Sequence, residues 1–95
     1  MVAWMHTREV LVDKLTRALA PVRLDVVDDS ARHRGHAGAG DGSHFNVCVV
    51  SARFEGKTLV ARHRLVYEAL ADEMAGPVHA LGLRTLTPAE AEREG

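Results

Sequence analysis

The sequence has little of several features that mark specialised classes of protein. It holds one cysteine, Cys48, among 95 residues, so an internal disulfide is excluded. A lone cysteine is typical of a reducing compartment, and we therefore expect a cytoplasmic location. No run approaches the ~20 apolar residues of a membrane span. The opening MVAWM is too short for a signal peptide and lacks its basic flank, so we expect no membrane association.

The sequence also lacks a large excess of positive or negative charge. Lys and Arg number 12 against 13 for Asp and Glu, and the formal net charge is -1. This balance argues against a protein held to nucleic acid mainly by charge. Aromatic residues are 4% of the chain and apolar residues 46%, so a modest core must be built from Val, Leu and Ala. We expect a single domain over residues 1–95 with a flexible N-terminus at 1–6, and a chain this small buries only ~60 to 65% of its unfolded surface.

The stretch from His44 to Met74 carries the clearest pattern. Its apolar residues alternate at first and then recur at helical spacing, which predicts a strand followed by an amphipathic helix. The alternating residues are Phe45, Val47 and Val49, and the helically spaced ones are Leu59, Val66, Leu70 and Met74. Gly56 suits the positive φ of the intervening turn, and Thr58 is placed to cap the helix.

The flanking segments predict the remaining elements. Thr7 is expected to cap a first helix, whose apolar residues are Leu11, Leu15, Ala18 and Leu19 and which ends before Pro21. A first strand follows, with Val22, Leu24 and Val26 on its buried side. After Gly76-Pro77, residues 78–86 are typical of a third strand. Thr87, Pro88 and Glu90 then form a capping box that opens a terminal helix or tail at 89–95. The predicted order is α-β-β-α-β-α, with a break in the long helix near Ala75.

Residues 30–42 form a long loop between the first two strands. The segment SARHRGHAGAGDG holds four of the eight glycines and no apolar residue larger than alanine. So long a loop in a small domain is either functional or a mobile polar segment. It contains His33 and His36 at a spacing that allows both imidazoles to reach one ion, although His-x-x-His without cysteine is a weak metal signal.

The chain contains six histidines, and their roles need to be explained. Imidazole is the commonest metal ligand among side chains. His63 falls on the apolar stripe of the long helix, where a hydrogen-bonded structural role is favoured. His79 opens the third strand, and a structural role is again favoured by its position alone. Cys48, which alternates with Val47 and Val49 in the second strand, is expected to be buried as a small apolar side chain. No catalytic motif can be assembled, and we do not expect an enzyme.

The joint pattern of the chain resembles the BolA family. The matching runs are SHFNVCVVSARFEGKTLVARHRLVYEAL and VHALGLRTLTP, and the most specific pieces are VVS, FEGK, RHRLVY and VHAL. The resemblance covers nearly the whole chain. It implies an α+β fold of the KH-like second type, with a three-stranded mixed sheet and helices packed on one face.

The resemblance also implies a site and a partner. In BolA-like proteins the histidine of the VHAL segment, here His79, is an expected ligand of a 2Fe-2S cluster shared with a monothiol glutaredoxin and its glutathione. The long loop supplies the second ligand, a histidine or a cysteine. This loop has no cysteine, so His33 is the first choice and His36 the second. The implied role is iron–sulfur cluster assembly, trafficking or iron regulation, with little or no iron held by the isolated protein.

Two alternatives stay open. A DNA-binding transcriptional regulator is one, with Arg53, Lys57, Arg62 and Arg64 as a local basic patch; Arg62 and Arg64 are otherwise expected to be solvated. Against it, the Gly-x-x-Gly at residues 35–38 lies between strands, whereas KH domains place that motif between helices. The other alternative is a lone metal ion such as zinc, held by His33, His36 and His79 without a partner. Whether the isolated chain forms a homodimer is also left open.

Overall fold

The computed structural model describes residues 6–29 and 43–95. Within these ranges the helices are α1 Thr7–Leu19, α2 Leu59–Ala69, α3 Ala71–Met74 and α4 Pro88–Glu94. The strands are β1 Arg23–Asp28, β2 Ser43–Val50 and β3 Val78–Leu86, and a 3₁₀ turn occupies Ala52–Phe54. The predicted element order is confirmed. The long helix breaks at Leu70 instead of near Ala75, which leaves α3 as a separate single turn.

The three strands form one mixed sheet in the order β1-β2-β3. β1 pairs with β2 in antiparallel fashion, whereas β2 and β3 run parallel. A parallel pair needs a crossover connection, and α2 with α3 provides it. The predicted mixed sheet is therefore confirmed, and the amino-terminal ends of β2 and β3 lie side by side.

The hydrophobic core lies between one face of the sheet and the helices. Its buried members include Leu11, Leu15 and Leu19 from α1, Phe45, Val47 and Val49 from β2, and Val66 and Leu70 from the crossover. Two apolar residues expected in the core lie outside it. Leu59 is 62% exposed because it starts α2 before the helix reaches the sheet, and Val22 is 71% exposed because it precedes β1.

The helix caps follow the sequence at two of three ends. Thr58 Oγ1 accepts a hydrogen bond from the Ala61 N–H, and Thr87 and Glu90 form the expected reciprocal capping box. At α1 the prediction is wrong by one residue, because His6 is the N-cap and its N–H donates to Glu9 Oε1 at 3.0 Å. Gly56 takes the expected positive φ, at 75°.

A bidentate ion pair fastens α4 to the rest of the domain. The Arg62 guanidinium donates to the two carboxylate oxygens of Glu90, at 2.7 and 3.2 Å. It also donates to the backbone carbonyls of Lys57 and Thr85. Arg62 is only 8% exposed, so the expectation that it is solvated is wrong. Its guanidinium donates to acceptors from the turn before α2, from β3 and from α4.

Among residues 6–29 and 43–95, every helix is too short or too polar to cross a lipid bilayer.

Candidate functional site

The start of β3 carries a bulge. Ser43 pairs with Val78 and His44 pairs with Ala80, so one extra residue, His79, stands on β3 between two successive ladder positions. The side chains show the same shift, because Val78 and Leu81 both pack in the core although they are three residues apart. A regular strand would place them on opposite faces. Bulges are frequent next to functional sites because they redirect a side chain.

The bulge brings His79 beside His44. The two ring centres are 5.2 Å apart and the ring planes are inclined by 46°. His79 is exposed, whereas His44 is half-buried. His44 precedes Phe45 on β2, and since Phe45 faces the core, His44 lies on the opposite face of the sheet. Both histidines are thus held by neighbouring strands at one end of the sheet.

The remaining predicted ligands, His33 and His36, lie outside the described residues. The described segment resumes at Ser43, directly before His44, so the long loop leads into this end of the sheet. Within the described parts of the chain, no group of three or more His, Cys, Asp or Glu side chains is arranged to hold a metal ion. Residues 6–29 and 43–95 therefore offer two imidazoles here, and a four-ligand cluster would need further ligands from elsewhere.

Sequence reasoning missed His44. The signal was present, because His44 begins a strand and His79 begins another, and a crossover helix between them implies parallel pairing. Parallel neighbours start at the same edge of a sheet. The ring-to-ring approach could not have been derived in this way, because it depends on the bulge.

The face of the sheet opposite the core also accounts for the position of Cys48. The thiol was expected in the core, but Val47 and Val49 occupy the core side of β2, so Cys48 points to the other face and is half-buried. Asp25 and Arg84 are its partners in the strand ladders on either side. Arg84 in turn forms an ion pair with Glu94 of α4. A lone thiol between two charged neighbours is accessible to solvent but is no ligand set.

The residues of the predicted basic patch differ in their exposure to solvent. Arg53, Lys57 and Arg64 are exposed, and only Arg62 is withdrawn into the ion pair with Glu90. His63, for which a structural role was expected, is half-buried on α2.

Comparisons with known proteins show which protein family this chain is related to. The family model described as "BolA-like protein" matches residues 15–90. BolA-like protein 1 of Mus musculus is 53% identical over 78 residues, which cover 81% of this chain and 55% of that protein. The DNA-binding transcriptional regulator BolA of Escherichia coli is 48% identical over 88 residues, covering 93% of this chain and 82% of that protein. This chain spans about half the length of the mouse relative.

A solved structure agrees with these sequence matches. The crystal structure of a bol-like protein from Babesia bovis superposes with a TM-score of 0.81 at 37% identity, covering 97% of this chain and 96% of that one. The names of these three relatives describe BolA-like proteins and a regulator, and none describes an enzyme. Since the family model spans most of the chain and the fold agrees over nearly its whole length, this chain belongs to the BolA family.

Proposed function

We propose that this chain pairs with a monothiol glutaredoxin and shares a 2Fe-2S cluster with it, in iron–sulfur cluster assembly, trafficking or iron regulation. The observation that carries the proposal is the bulge, which lifts His79 out of the core side of β3 and leaves its ring exposed beside a second imidazole. His79 is the first ligand from this chain, and His33 or His36 of the long loop is the second.

The number of ligands favours a shared cluster. A 2Fe-2S cluster needs four protein or small-molecule ligands. The described residues supply no group of three, so the glutaredoxin cysteine and its glutathione complete the set on the partner's side. Neutral imidazoles in place of thiolates make the cluster less negative, which raises its reduction potential. A heterodimer would therefore hold a cluster with a different potential from that of a glutaredoxin dimer.

The exposed face of α2 is suited to the docking surface. Leu59, Val60 and Tyr67 are large apolar or aromatic side chains that remain exposed on this helix. Aromatic and apolar side chains at the centre of a polar surface are typical of protein interfaces. Arg64 and Lys57, both exposed, supply polar contacts at the rim.

The experiment is anaerobic reconstitution of the cluster with this chain, a monothiol glutaredoxin and glutathione. Visible absorption and circular dichroism of the purified complex are compared for wild type, His79→Ala and the matched control His63→Ala. We expect a heterodimer whose spectrum differs from that of glutaredoxin alone, is lost with His79→Ala and is kept with His63→Ala. His33→Ala and His36→Ala then assign the loop ligand. A spectrum that is unchanged by His79→Ala would refute shared ligation.

DNA binding is the second candidate. It is favoured by the name of the E. coli relative, a DNA-binding transcriptional regulator that is 82% covered by the match. Exposed Arg53, Lys57 and Arg64 supply the basic groups, and the buried Arg62 is no longer one of them. The test is fluorescence anisotropy with duplex DNA across a salt series, because each phosphate contact adds about one to the slope of log K against log salt. Binding that is unaffected by Arg53→Gln with Lys57→Gln and Arg64→Gln would exclude this surface.

A cytoplasmic location stays a prediction, and a homodimer of the isolated chain stays an open alternative. Size-exclusion chromatography with light scattering on the isolated chain decides the second of these.

A further inference from the structure

We propose that His44 and His79 together chelate a single divalent transition-metal ion of the kind that prefers imidazole, such as Zn²⁺, in the isolated chain. This inference does not rest on the glutaredoxin partnership. It differs from a site made by His33, His36 and His79, because both of its ligands come from strands of the sheet. Water molecules complete the coordination of the ion.

The distance between the rings fits a common metal ion. Zinc–nitrogen bonds are about 2.0 to 2.1 Å and the centre of an imidazole lies about 1.1 Å beyond its nitrogen, so a bound ion is about 3.2 Å from each ring centre. At the tetrahedral angle of about 109°, the two ring centres are then about 5.2 Å apart. The observed separation is 5.2 Å.

The inclination of the rings is also informative. Aromatic rings that attract each other directly prefer an offset parallel stack or an edge-to-face arrangement. The 46° between His44 and His79 is neither of these. An inclination of 46° is compatible with two imidazoles that bind one ion, because metal–nitrogen bonds do not fix the angle between the ring planes.

The backbone holds the pair in advance of binding. The His44 backbone belongs to the ladder with Ala80, and the bulge fixes His79 on the neighbouring strand. His44 is half-buried, which restricts its rotamers, whereas His79 is exposed and leaves a path for the ion. A pre-organised pair loses little conformational entropy when it binds, so two ligands hold an ion more tightly than two free imidazoles would.

The end of β1 holds the His44 backbone from a second side. Asp28 pairs with Phe45, and the Asp29 N–H donates to the carbonyl oxygen of His44 at 2.7 Å. The His44 backbone is therefore hydrogen-bonded to β1 as well as paired with β3.

The test is titration of ZnCl₂, and separately NiCl₂, into the metal-free chain of residues 1–95 by isothermal calorimetry in a non-coordinating buffer. We expect one ion per chain. His79→Ala and His44→Ala each weaken binding about tenfold or more, because the chelate is lost. The matched controls His6→Ala and His63→Ala, and the double variant His33→Ala with His36→Ala, stay within about threefold of wild type. Since His44 is half-buried, His44→Gln is measured too, and circular dichroism verifies that each variant is folded.

Heteronuclear NMR gives a second measurement that needs no variant. Zn²⁺ should shift the imidazole signals of His44 and His79 and leave those of His63 unchanged. The proposal is overturned if wild type binds no ion, if His44→Ala binds like wild type, or if the double loop variant loses binding. The titration contains no glutaredoxin, glutathione or iron. A negative titration therefore does not refute the shared cluster, and a negative cluster experiment does not refute this two-histidine metal site.

Discussion

Replacing Arg62 with methionine tests whether the buried guanidinium fastens α4. Methionine keeps an apolar stem of similar length near Phe54, whose ring centre lies 6.0 Å from the Arg62 guanidinium carbon, so the change removes hydrogen bonds more than volume. The variant loses the two bonds to Glu90 and leaves the carbonyls of Lys57 and Thr85 without this donor. Breaking a fully buried ion pair by removing one partner costs about 3 to 5 kcal/mol.

The structure places this variant at the lower end of that range. The Glu90 side chain is 32% exposed, so water replaces part of what Arg62 supplied. We therefore expect the free energy of unfolding to fall by about 3 kcal/mol. For a domain of this size the melting temperature should drop by roughly 15 °C. Urea unfolding followed by circular dichroism gives the free energy from the midpoint and the slope.

Arg64→Met is the matched control, because Arg64 lies two residues along the same helix and is exposed. A change there should stay within about 0.5 kcal/mol. Equal losses for Arg62→Met and Arg64→Met would refute the reasoning and would mean that apolar contacts alone hold α4. Glu90→Gln measured alone and in the Arg62→Met background completes a double-mutant cycle, which isolates the pair itself.

Three further predictions concern acid stability, a buried hydroxyl and the thiol. Hydrogen bonds, first from Arg62 and then from the Thr87 N–H, lower the pKa of Glu90 from 4.5 to about 2. The stabilisation by this carboxylate is therefore complete above about pH 4.5 and lost as the pH falls towards 2, so Glu90→Gln should flatten this part of the acid-unfolding curve. The fully buried Ser51 hydroxyl donates to the Leu19 carbonyl at 2.6 Å, and Ser51→Ala should cost about 2 kcal/mol in urea unfolding. Cys48 is half-buried on the face of the sheet opposite the core, so it should react with Ellman's reagent in the folded protein without denaturant.

Each of these has a control and a contrary outcome. Glu92→Gln on the exposed side of α4 should leave the acid curve unchanged, and an identical curve for Glu90→Gln would contradict the pKa argument. Thr16→Ala, an exposed change on α1, should cost less than about 0.5 kcal/mol, and an equally small loss for Ser51→Ala would show that its hydrogen bond is unimportant. Cys48→Ser gives the baseline of the labelling assay, and a wild-type reaction that occurs only in urea would restore the prediction of a buried thiol.

The order of the elements could be predicted because local signals agree with the fold. The change from alternating to helical spacing after Val49 marks the end of β2, and Gly56 and Thr58 mark the turn and the cap as expected. Thr87 and Glu90 likewise announce α4. These signals act over a few residues, so a single sequence contains them in full.

Errors occurred where long-range packing decides the outcome. From the sequence, Arg62 is predicted to be a surface residue, because its partner Glu90 lies 28 positions later in the chain. Cys48 is a different kind of error, because its alternation with the core residues Val47 and Val49 already places it on the other face of the strand. The proximity of His44 to His79 depends on a crossover, a parallel register and an inserted residue. Only the crossover and the parallel pairing could be predicted from the sequence.

The bulge makes the side chain at position 79 independent of the core packing around it. Because His79 is the extra residue between two ladder positions, its side chain belongs to neither the core layer nor the regular alternation of β3. A substitution there can change the chemistry of the site while Val78 and Leu81 keep their places in the core. Deletion of the same residue would leave Val78 and Leu81 two positions apart, so a regular strand would still place both side chains on the core face and only the bulge would be lost. Neither the identity nor the presence of residue 79 is therefore demanded by the packing of the core, and both are open to functional selection.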